Sequence, residues 1–162
     1  MNAPIIRPIQ QEDNPKIAAI IRRVLEDFKV PKVGTAYADI SLDCMFETYQ
    51  KPRAAYFVLE EANTLIGGGG VAQLDHYDGN VCELQKMYFL PQARGRGLGT
   101  KMIDICLQKA KEFGYEKCYL ETMHYMEAAQ KLYKKYGFQY IDGAMGDTGH
   151  YACGVTMLLD LK

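Results

Sequence analysis

A glycine-rich turn that passes from an apolar strand directly into a helix constrains what this chain can fold into. The run RGRGLGT extends from Arg94 to Thr100 and follows an apolar segment that ends at Pro91. The first N–H groups of a helix have no internal acceptor and carry partial positive charge, so an anion gains hydrogen bonds and favourable electrostatics there. Glycine keeps these amides accessible and permits positive φ angles. The turn therefore predicts a diphosphate site at the start of a helix.

Two well-defined phosphate motifs do not fit this turn. A P-loop requires Gly-Lys followed by Ser or Thr, whereas here Gly99 is followed by Thr100 and then Lys101. A dinucleotide fingerprint requires GxGxxG near the start of a βαβ unit, whereas this spacing is GxGxG and lies past the middle of the chain. The order of residues argues against both classes. A tight strand-to-helix connection without a ligand is the remaining alternative.

The composition is typical of one soluble globular domain spanning residues 1–162. The chain has 162 residues, of which 48% are hydrophobic, and its formal net charge of -1 indicates no nucleic acid or membrane partner. The 5 cysteines form no C-x-x-C pair, which favours a reducing compartment. The N-terminus does not resemble a signal peptide, and no apolar run reaches membrane-spanning length. We therefore expect a cytoplasmic protein. The sequence leaves open whether it forms a homodimer.

Hydrophobic periodicity and turn residues predict the element order βααβββαβαββ. The second to fourth strands form an antiparallel meander, and one strand-helix-strand crossover requires a parallel pair. We expect a mixed α/β fold with a mostly antiparallel twisted sheet flanked by helices, in which the last strand closes the sheet. The predicted strands are 5–9, 55–60, 65–74, 81–90, 117–121, 138–141 and 155–161, and the predicted helices are 14–28, 40–49, 98–113 and 127–136.

Two further patterns each have two interpretations. Four glycines, Gly67 to Gly70, interrupt a predicted strand and indicate either the floor of a substrate channel or a local irregularity. Asp39, Asp43 and Glu47 are spaced four apart. Such an acidic stripe is either a solvated helix face or a surface that attracts a cationic substrate.

Three ordered motifs resemble the GNAT family of acyl-CoA-dependent N-acetyltransferases. The family signature, Arg or Gln followed by x-x-Gly-x-Gly or Ala, is matched by the run from Arg94 to Gly99. Upstream, KMYFLP resembles the family strand that ends in proline before this turn. Downstream, the family pattern ALYxKxGF is approximated by Ala129, Leu132, Tyr133, Gly137 and Phe138. The resemblance covers about residues 65–140 and implies the GNAT fold, with acetyl-CoA as cosubstrate and no metal.

The resemblance also implies where the cosubstrate binds. The pantetheine arm hydrogen-bonds the backbone of the central strand as an added strand would, and a backbone N–H of that strand stabilises the oxyanion. The diphosphate lies at the glycine-rich turn. An amine then attacks the thioester directly in a ternary complex. The implied cofactor-binding residues are Met87, Tyr88, Phe89, Arg94, Gly95, Arg96, Gly97, Leu98, Gly99, Thr100 and Ala129.

The implied reaction needs a base and a proton donor. An alkyl amine has a pKa of about 10.4 and must lose a proton before it attacks. Glu83 stands where the family often places such a base, Glu121 is the second candidate, and an exposed strand carboxylate is the alternative interpretation of Glu83. Strand alternation predicts that Gln85 and Met87 share its face. Tyr133 occupies the family's general-acid position, where a core tyrosine is the alternative.

Two positions depart from the family pattern or lie outside it. Met126 replaces an asparagine that many members use to hold pantetheine, and methionine has no hydrogen-bond donor; His124 or Tyr125 is a candidate substitute. In the tail, His150 and Cys153 form H-x-x-C, which supplies two ligands. We favour pocket lining or loop structure for these two residues over a metal site.

The expected function is transfer of an acetyl group from acetyl-CoA to the primary amine of a small molecule. One alternative is a coenzyme A-binding regulatory module without catalysis. Another is acetylation of protein lysines or N-termini, which requires an open groove. The sequence does not identify the acceptor amine.

Overall fold

The computed structural model describes residues 3–161 and contains, in that range, seven strands and four α-helices in the predicted order βααβββαβαββ. The helices are α1 (Asn14–Asp27), α2 (Met45–Thr48), α3 (Leu98–Glu112) and α4 (Glu127–Lys135). The strands are β1 (Ile5–Pro8), β2 (Ala55–Glu61), β3 (Thr64–Gln73), β4 (Val81–Phe89), β5 (Lys117–Thr122), β6 (Gln139–Tyr140) and β7 (Val155–Asp160).

The strands form one sheet in the order β1-β2-β3-β4-β5-β7-β6. The β4–β5 pair is parallel and the other neighbours are antiparallel, which confirms the mixed, mostly antiparallel α/β class. The expectation that the last strand closes the sheet is wrong. The loop 141–154 carries the chain back across the sheet, so β7 pairs with both β5 and β6, and the two-residue β6 forms the edge. No helix in residues 3–161 is long and apolar enough to cross a membrane.

The parallel pair diverges after three residues. Val81–Glu83 of β4 pairs with Lys117–Tyr119 of β5, and the register goes no further. A β-bulge lies just beyond, because Gly68 pairs with Tyr88 and Gly70 with Gln85, so that two β4 residues oppose one β3 residue. Bulges bend the strand that carries the extra residue. The bend accompanies the separation of β4 from β5, and a cleft opens between them.

The bulge changes which face of the sheet each β4 side chain occupies. Gln85 donates a hydrogen bond to Glu83 and accepts one from Tyr49, so these side chains share one face. Met87 lies beside Met102 of α3 on the opposite face. The predicted common face of Glu83, Gln85 and Met87 is therefore wrong at Met87, because simple alternation does not count the extra residue.

The four consecutive glycines of β3 allow groups of the neighbouring strands β2 and β4 to pack directly against the β3 backbone. A Cβ on Gly67 would collide with Cδ1 of Phe89, and a Cβ on Gly70 would lie 2.5 Å from the carbonyl oxygen of Ala55. Large side chains from β2 and β4 occupy the space that a side chain on β3 would need. The glycines accommodate this packing opposite the bulge, and they do not line the cleft.

The segment predicted as one helix over 40–49 is divided. A 3₁₀ turn at Ile40–Asp43 precedes the short α2, and Cys44 between them has φ −135°, which is not helical. Asp39 has extended backbone angles, so it does not continue the helical face of Asp43 and Glu47. The acidic stripe is consequently split. Glu47 is exposed, whereas the Asp39 carboxylate turns inward, its side chain 22% exposed.

Candidate active site

A cleft with a volume of about 970 Å³ opens where β4 and β5 diverge. It extends from the glycine-rich turn at the start of α3 to a group of buried charged side chains below the loop 141–154. The cleft brings together predicted site residues that are distant in sequence. They are Glu83, Met87, Tyr88, Phe89, Arg94, Gly95, Gly97, Leu98, Gly99, Thr100, Ala129 and Tyr133.

The glycine-rich turn forms an uncapped helix start at one end of the cleft. Gly97 precedes α3 with a left-handed φ of 75°, and no side chain among the described residues caps the helix. The first intrahelical bond runs from the Lys101 N–H to the Gly97 carbonyl at 3.2 Å. The N–H groups of the preceding residues of α3 therefore have no intrahelical acceptor. A Cβ on Gly97 would meet nothing within 4 Å, so there is room for an anion.

The two arginines of the turn point in different directions. Arg94 donates two hydrogen bonds to the Phe89 carbonyl, at 3.1 and 2.8 Å, and ties the turn to the end of β4. Its guanidinium lies 5.2 Å from the ring centroid of Phe28. Arg96 forms an ion pair with Glu61, the last residue of β2, and Arg96 does not line the cleft. The charge of Arg96 is thus compensated on the protein surface.

The edge of β4 that faces β5 is open along the cleft. Because pairing with β5 ends at Glu83, the later backbone groups on this edge have no strand partner there. Met87, Tyr88 and Phe89 occupy this part of β4, and Ala129 of α4 also lines the cleft. An extended ligand with amide groups can bind to such an edge as an added strand.

Tyr133 presents an unpartnered hydroxyl to the cleft. Its ring is buried and packs edge-on against Phe138, with 5.8 Å between the centroids. The hydroxyl forms no hydrogen bond with any residue of the range 3–161. Burial raises the pKa of Tyr133 to about 12, so the hydroxyl keeps its proton at neutral pH. Tyr136, one turn away from the family position, instead hydrogen-bonds the Thr100 carbonyl and Asp104.

Glu83 is a buried carboxyl group with one free oxygen. The residue as a whole is 5% exposed to solvent. The Gln85 amide donates to Oε1 at 2.8 Å, while no described residue donates a hydrogen bond to Oε2. Burial raises the pKa of Glu83 to about 7, against the lowering effect of the Gln85 hydrogen bond. A carboxyl group with this pKa exchanges protons near neutral pH.

Glu121 lies nearby but has both oxygens occupied. The Tyr119 hydroxyl donates to Oε2 at 2.7 Å, and the Thr148 hydroxyl donates to Oε1 at 2.5 Å. The His150 Nδ1 lies 3.7 Å from the same Oε1. These contacts fix the orientation of the carboxylate. Glu121 is therefore less available than Glu83 to take a proton from a ligand.

Asp39, Lys86 and His150 form an ionic group beside the two glutamates. Asp39 Oδ2 lies 2.8 Å from His150 Nε2 and 3.2 Å from Lys86 Nζ. Burial alone would raise the pKa of Asp39, but the His150 hydrogen bond and the Lys86 charge outweigh it and hold the pKa below its usual range. Burial alone would lower the pKa of His150, but Asp39 raises it. These groups come from three separate segments of the chain.

Three of these side chains could hold a cation together. Ligand atoms of Glu83, Glu121 and His150 all lie within 4.8 Å of one another. Cys153 also lines the cleft, but burial raises the pKa of its thiol to about 12, so it has little thiolate character. Pocket lining, one of the two roles favoured for the H-x-x-C pair, agrees with these positions. That the enzyme needs no metal ion stays a prediction.

The neighbours of Met126 differ in their access to the cleft. Met126 precedes α4 and accepts a weak contact from the Thr122 hydroxyl at its sulfur, at 3.6 Å. Tyr125 lines the cleft, whereas His124 is directed toward Gly154. Of the two candidate substitutes for the family asparagine, Tyr125 is the one that lines the cleft.

A splayed strand pair leading to an anion-binding helix start is an arrangement suited to an acyltransferase that uses a large acyl-carrying cosubstrate. The chain belongs to the GNAT family of acetyltransferases, whose family model, described as Acetyltransferase (GNAT) family, matches residues 18–138. Its members are N-acetyltransferases, so the protein is an acyltransferase of the GNAT type. The expected family and fold are confirmed.

Individual relatives agree with this membership. The chain is 42% identical over 160 residues to the uncharacterized N-acetyltransferase YjgM of Escherichia coli, covering 98% of this chain and 96% of that protein. A GNAT acetyltransferase structure from Staphylococcus aureus Mu50 has a TM-score of 0.88 at 20% identity, covering 99% of this chain and 100% of that one. The structure of yncA from Salmonella typhimurium with its cofactor acetyl-CoA has a TM-score of 0.77 at 18% identity, covering 99% of this chain and 95% of that one.

Proposed function

We propose that the protein transfers an acetyl group from acetyl-CoA to the primary amine of a small molecule in a ternary complex. The observation that carries the proposal is the continuous cleft, which joins an uncapped helix start to a buried carboxyl group with a pKa near neutral. The yncA structure, which has the same fold, contains acetyl-CoA. Acetyl-CoA supplies the acyl group as a thioester, which an amine can attack without a covalent enzyme intermediate.

The described residues fit such a cosubstrate. The N–H groups of Leu98, Gly99 and Thr100 are available to diphosphate oxygens, with no capping side chain to displace. The open edge of β4 at Met87 to Phe89 is available to the amide groups of pantetheine. This direction leads the thioester away from the turn and toward Glu83. A β4 N–H near the bulge would then stabilise the oxyanion.

Glu83 is the residue that we assign as base. Its Oε2 has no donor among the described residues, and its pKa of about 7 lets it accept a proton at neutral pH. The acceptor binds as an ammonium ion, and Glu83 removes the proton that blocks its lone pair, directly or through one water molecule. The two hydroxyl donors on Glu121 argue for an orienting role there.

Tyr133 is assigned as the donor to the departing thiolate. A thiol has a pKa of about 8.5, whereas burial raises the pKa of Tyr133 to about 12. Full proton transfer is therefore uphill by roughly 5 kcal/mol. A hydrogen bond from the Tyr133 hydroxyl to the developing negative charge carries no such penalty, and its unpartnered state in the free protein leaves it available.

The acceptor end of the cleft, which we define by Glu83, Glu121, Asp39, Lys86 and His150, is bordered by the loop 141–154. This border supports a small acceptor. The loop 141–154 is tied to the segment before α2, since His150 bonds Asp39 and the Ala152 N–H donates to the Gly34 carbonyl at 2.9 Å. Thr148, His150 and Cys153 of this loop line the cleft, so the loop narrows the end where the amine binds. A lysine or N-terminus on a folded protein would need a more open groove.

Acetyl-CoA binding followed by turnover on amines tests the proposal. We expect acetyl-CoA to raise the unfolding temperature, and we expect thiol release when small primary amines are supplied. Stabilisation without thiol release on any amine would instead indicate a coenzyme A-binding module. Acetylation of peptides with no turnover of small amines would indicate a protein acetyltransferase.

A further inference from the structure

We propose that the acceptor is a zwitterion, a small amino acid whose carboxylate binds Lys86 while its amine faces Glu83. This inference rests on the proposed acetyl transfer and specifies the acceptor of that same site. It is carried by the position and ion pairing of Lys86, together with the charged groups of both signs at the acceptor end of the cleft.

Lys86 is one of the two residues of the β4 bulge, and its side chain lies in the cleft. It has a φ of 49°, an unfavourable left-handed conformation for a residue with a side chain. The Tyr56 hydroxyl donates to its carbonyl oxygen at 2.7 Å and so stabilises the backbone of the bulge. The Lys86 side chain is only 8% exposed and lines the cleft. The fold therefore directs a long cationic side chain inward, whereas most lysines lie on the surface.

The Lys86 ammonium group has more donors than the protein satisfies. An ammonium group carries three N–H donors, and within residues 3–161 its partner is Asp39, at 3.2 Å. Unsatisfied donors of a buried charge are costly, so they call for water or for an acceptor brought by a ligand. A carboxylate offers two oxygens in a compact group and is the ligand chemistry that these donors fit.

Asp39 does not cancel the positive charge around Lys86. The same carboxylate binds His150 at 2.8 Å, and this contact favours the protonated imidazole. One negative charge is therefore shared by two cationic groups. Glu121 Oε1 lies 3.7 Å from the other ring nitrogen of His150, whereas Asp39 is the carboxylate paired with Lys86, so an anionic group on the ligand would complete the pairing of Lys86.

The negative half of the acceptor end lies next to this positive half. Ligand atoms of Glu83, Glu121 and His150 lie within 4.8 Å of one another, and Lys86 is joined to His150 through the Asp39 carboxylate. Lys86 and Glu83 line the same cleft, so a small ligand that carries both an anionic and a cationic group can face one of them with each group. A diamine would leave the Lys86 donors unsatisfied and would place a second cation beside them.

Matched acceptor pairs test this inference directly. Thiol release from acetyl-CoA is measured with alanine, glutamate, histidine, methionine and phenylalanine, and with the amine that each yields on decarboxylation. The corresponding amino acid amides retain the carbonyl group but lack the negative charge. For at least one pair we expect the amino acid to exceed both uncharged analogues by at least about tenfold in kcat/KM.

Variants of Lys86 locate the effect. Lys86→Met is expected to remove most of the preference for the carboxylate through a higher KM, and Lys86→Arg is expected to retain most of it. Lys111→Met, an exposed position on α3, is the matched control and should keep the wild-type preference. The unfolding temperature of each variant, compared with that of the wild type, verifies that it is folded.

The outcomes separate this inference from the function on which it rests. Turnover of decarboxylated amines or amides equal to that of the amino acids would overturn the zwitterion while leaving the acetyltransferase intact. An equal loss for both sets in Lys86→Met would also overturn it, because Lys86 would then not recognise the carboxylate. Absence of turnover with every acceptor, despite acetyl-CoA binding, would contradict both proposals.

Discussion

The two ends of the cleft differ in the groups that they offer to a ligand, which are backbone groups at one end and side chains at the other. The α3 end presents backbone N–H groups, and its arginines make contacts outside or at the rim of the cleft. The acceptor end presents buried side chains of both signs, brought together from β4, β5, the segment before α2 and the loop 141–154. A backbone cradle suits a diphosphate, which needs only N–H donors. Selecting and deprotonating an amine requires specific side chains with adjusted proton affinities.

This division predicts that variants at one end change turnover and variants at the other change cosubstrate affinity. Glu83→Gln has the largest expected effect, because it removes the base while preserving the shape of the side chain. We expect turnover to fall about 10²- to 10⁴-fold with acetyl-CoA affinity unchanged. Glu121→Gln, which keeps its neighbours Tyr119 and Thr148, is the comparison. A larger loss there than in Glu83→Gln would move the base to Glu121.

Gly97→Val tests the cradle end. Valine adopts the φ of 75° poorly, and its side chain would occupy the open space in front of the helix start. We expect acetyl-CoA affinity to fall about 100-fold or more, measured by calorimetry. Gly114→Val at the far end of α3 is the matched control, since Gly114 also has a positive φ, of 84°, with open space around it. Equal losses of affinity in both variants would indicate general strain, and normal affinity in folded Gly97→Val would refute the cradle.

Tyr133→Phe removes the proposed donor to the thiolate without changing the packing against Phe138. We expect turnover to fall about 10- to 100-fold, with acetyl-CoA affinity nearly unchanged. Tyr136→Phe, on the same helix but bonded to Thr100 and Asp104, should leave turnover close to wild type. Unchanged turnover in Tyr133→Phe across the pH range would remove Tyr133 from the mechanism.

Arg96→Ala has the smallest expected effect. The resemblance names Arg96 as cofactor-binding, but its side chain is paired with Glu61. Surface ion pairs contribute about 0–1 kcal/mol, so we expect acetyl-CoA affinity to change by no more than about fivefold. A much larger loss would mean that the guanidinium leaves Glu61 to reach the diphosphate.

The same division explains how much could be predicted from the sequence. The cradle, the β4 motif and Tyr133 lie in local patterns of strand, turn and helix, and the element order βααβββαβαββ follows from periodicity. The acceptor end depends on contacts between distant segments, such as Asp39 with His150, which are 111 residues apart. The bulge at Lys86 has no distinct side-chain signal, so alternation misplaced Met87 and gave no role to Lys86. The acidic stripe did contain Asp39, but helical spacing suggested an outward direction that the break at Cys44 prevents.

The pH dependence of turnover tests the central claim, that a buried carboxyl group at Glu83 deprotonates the acceptor. Because the pKa of Glu83 is raised to about 7 and the base acts only when ionised, thiol release at saturating acetyl-CoA should increase as the pH rises through about 7. The residual activity of Glu83→Gln should lack this limb. A wild-type profile that is flat from pH 5 to 9, or an identical limb in Glu83→Gln, would contradict the assignment.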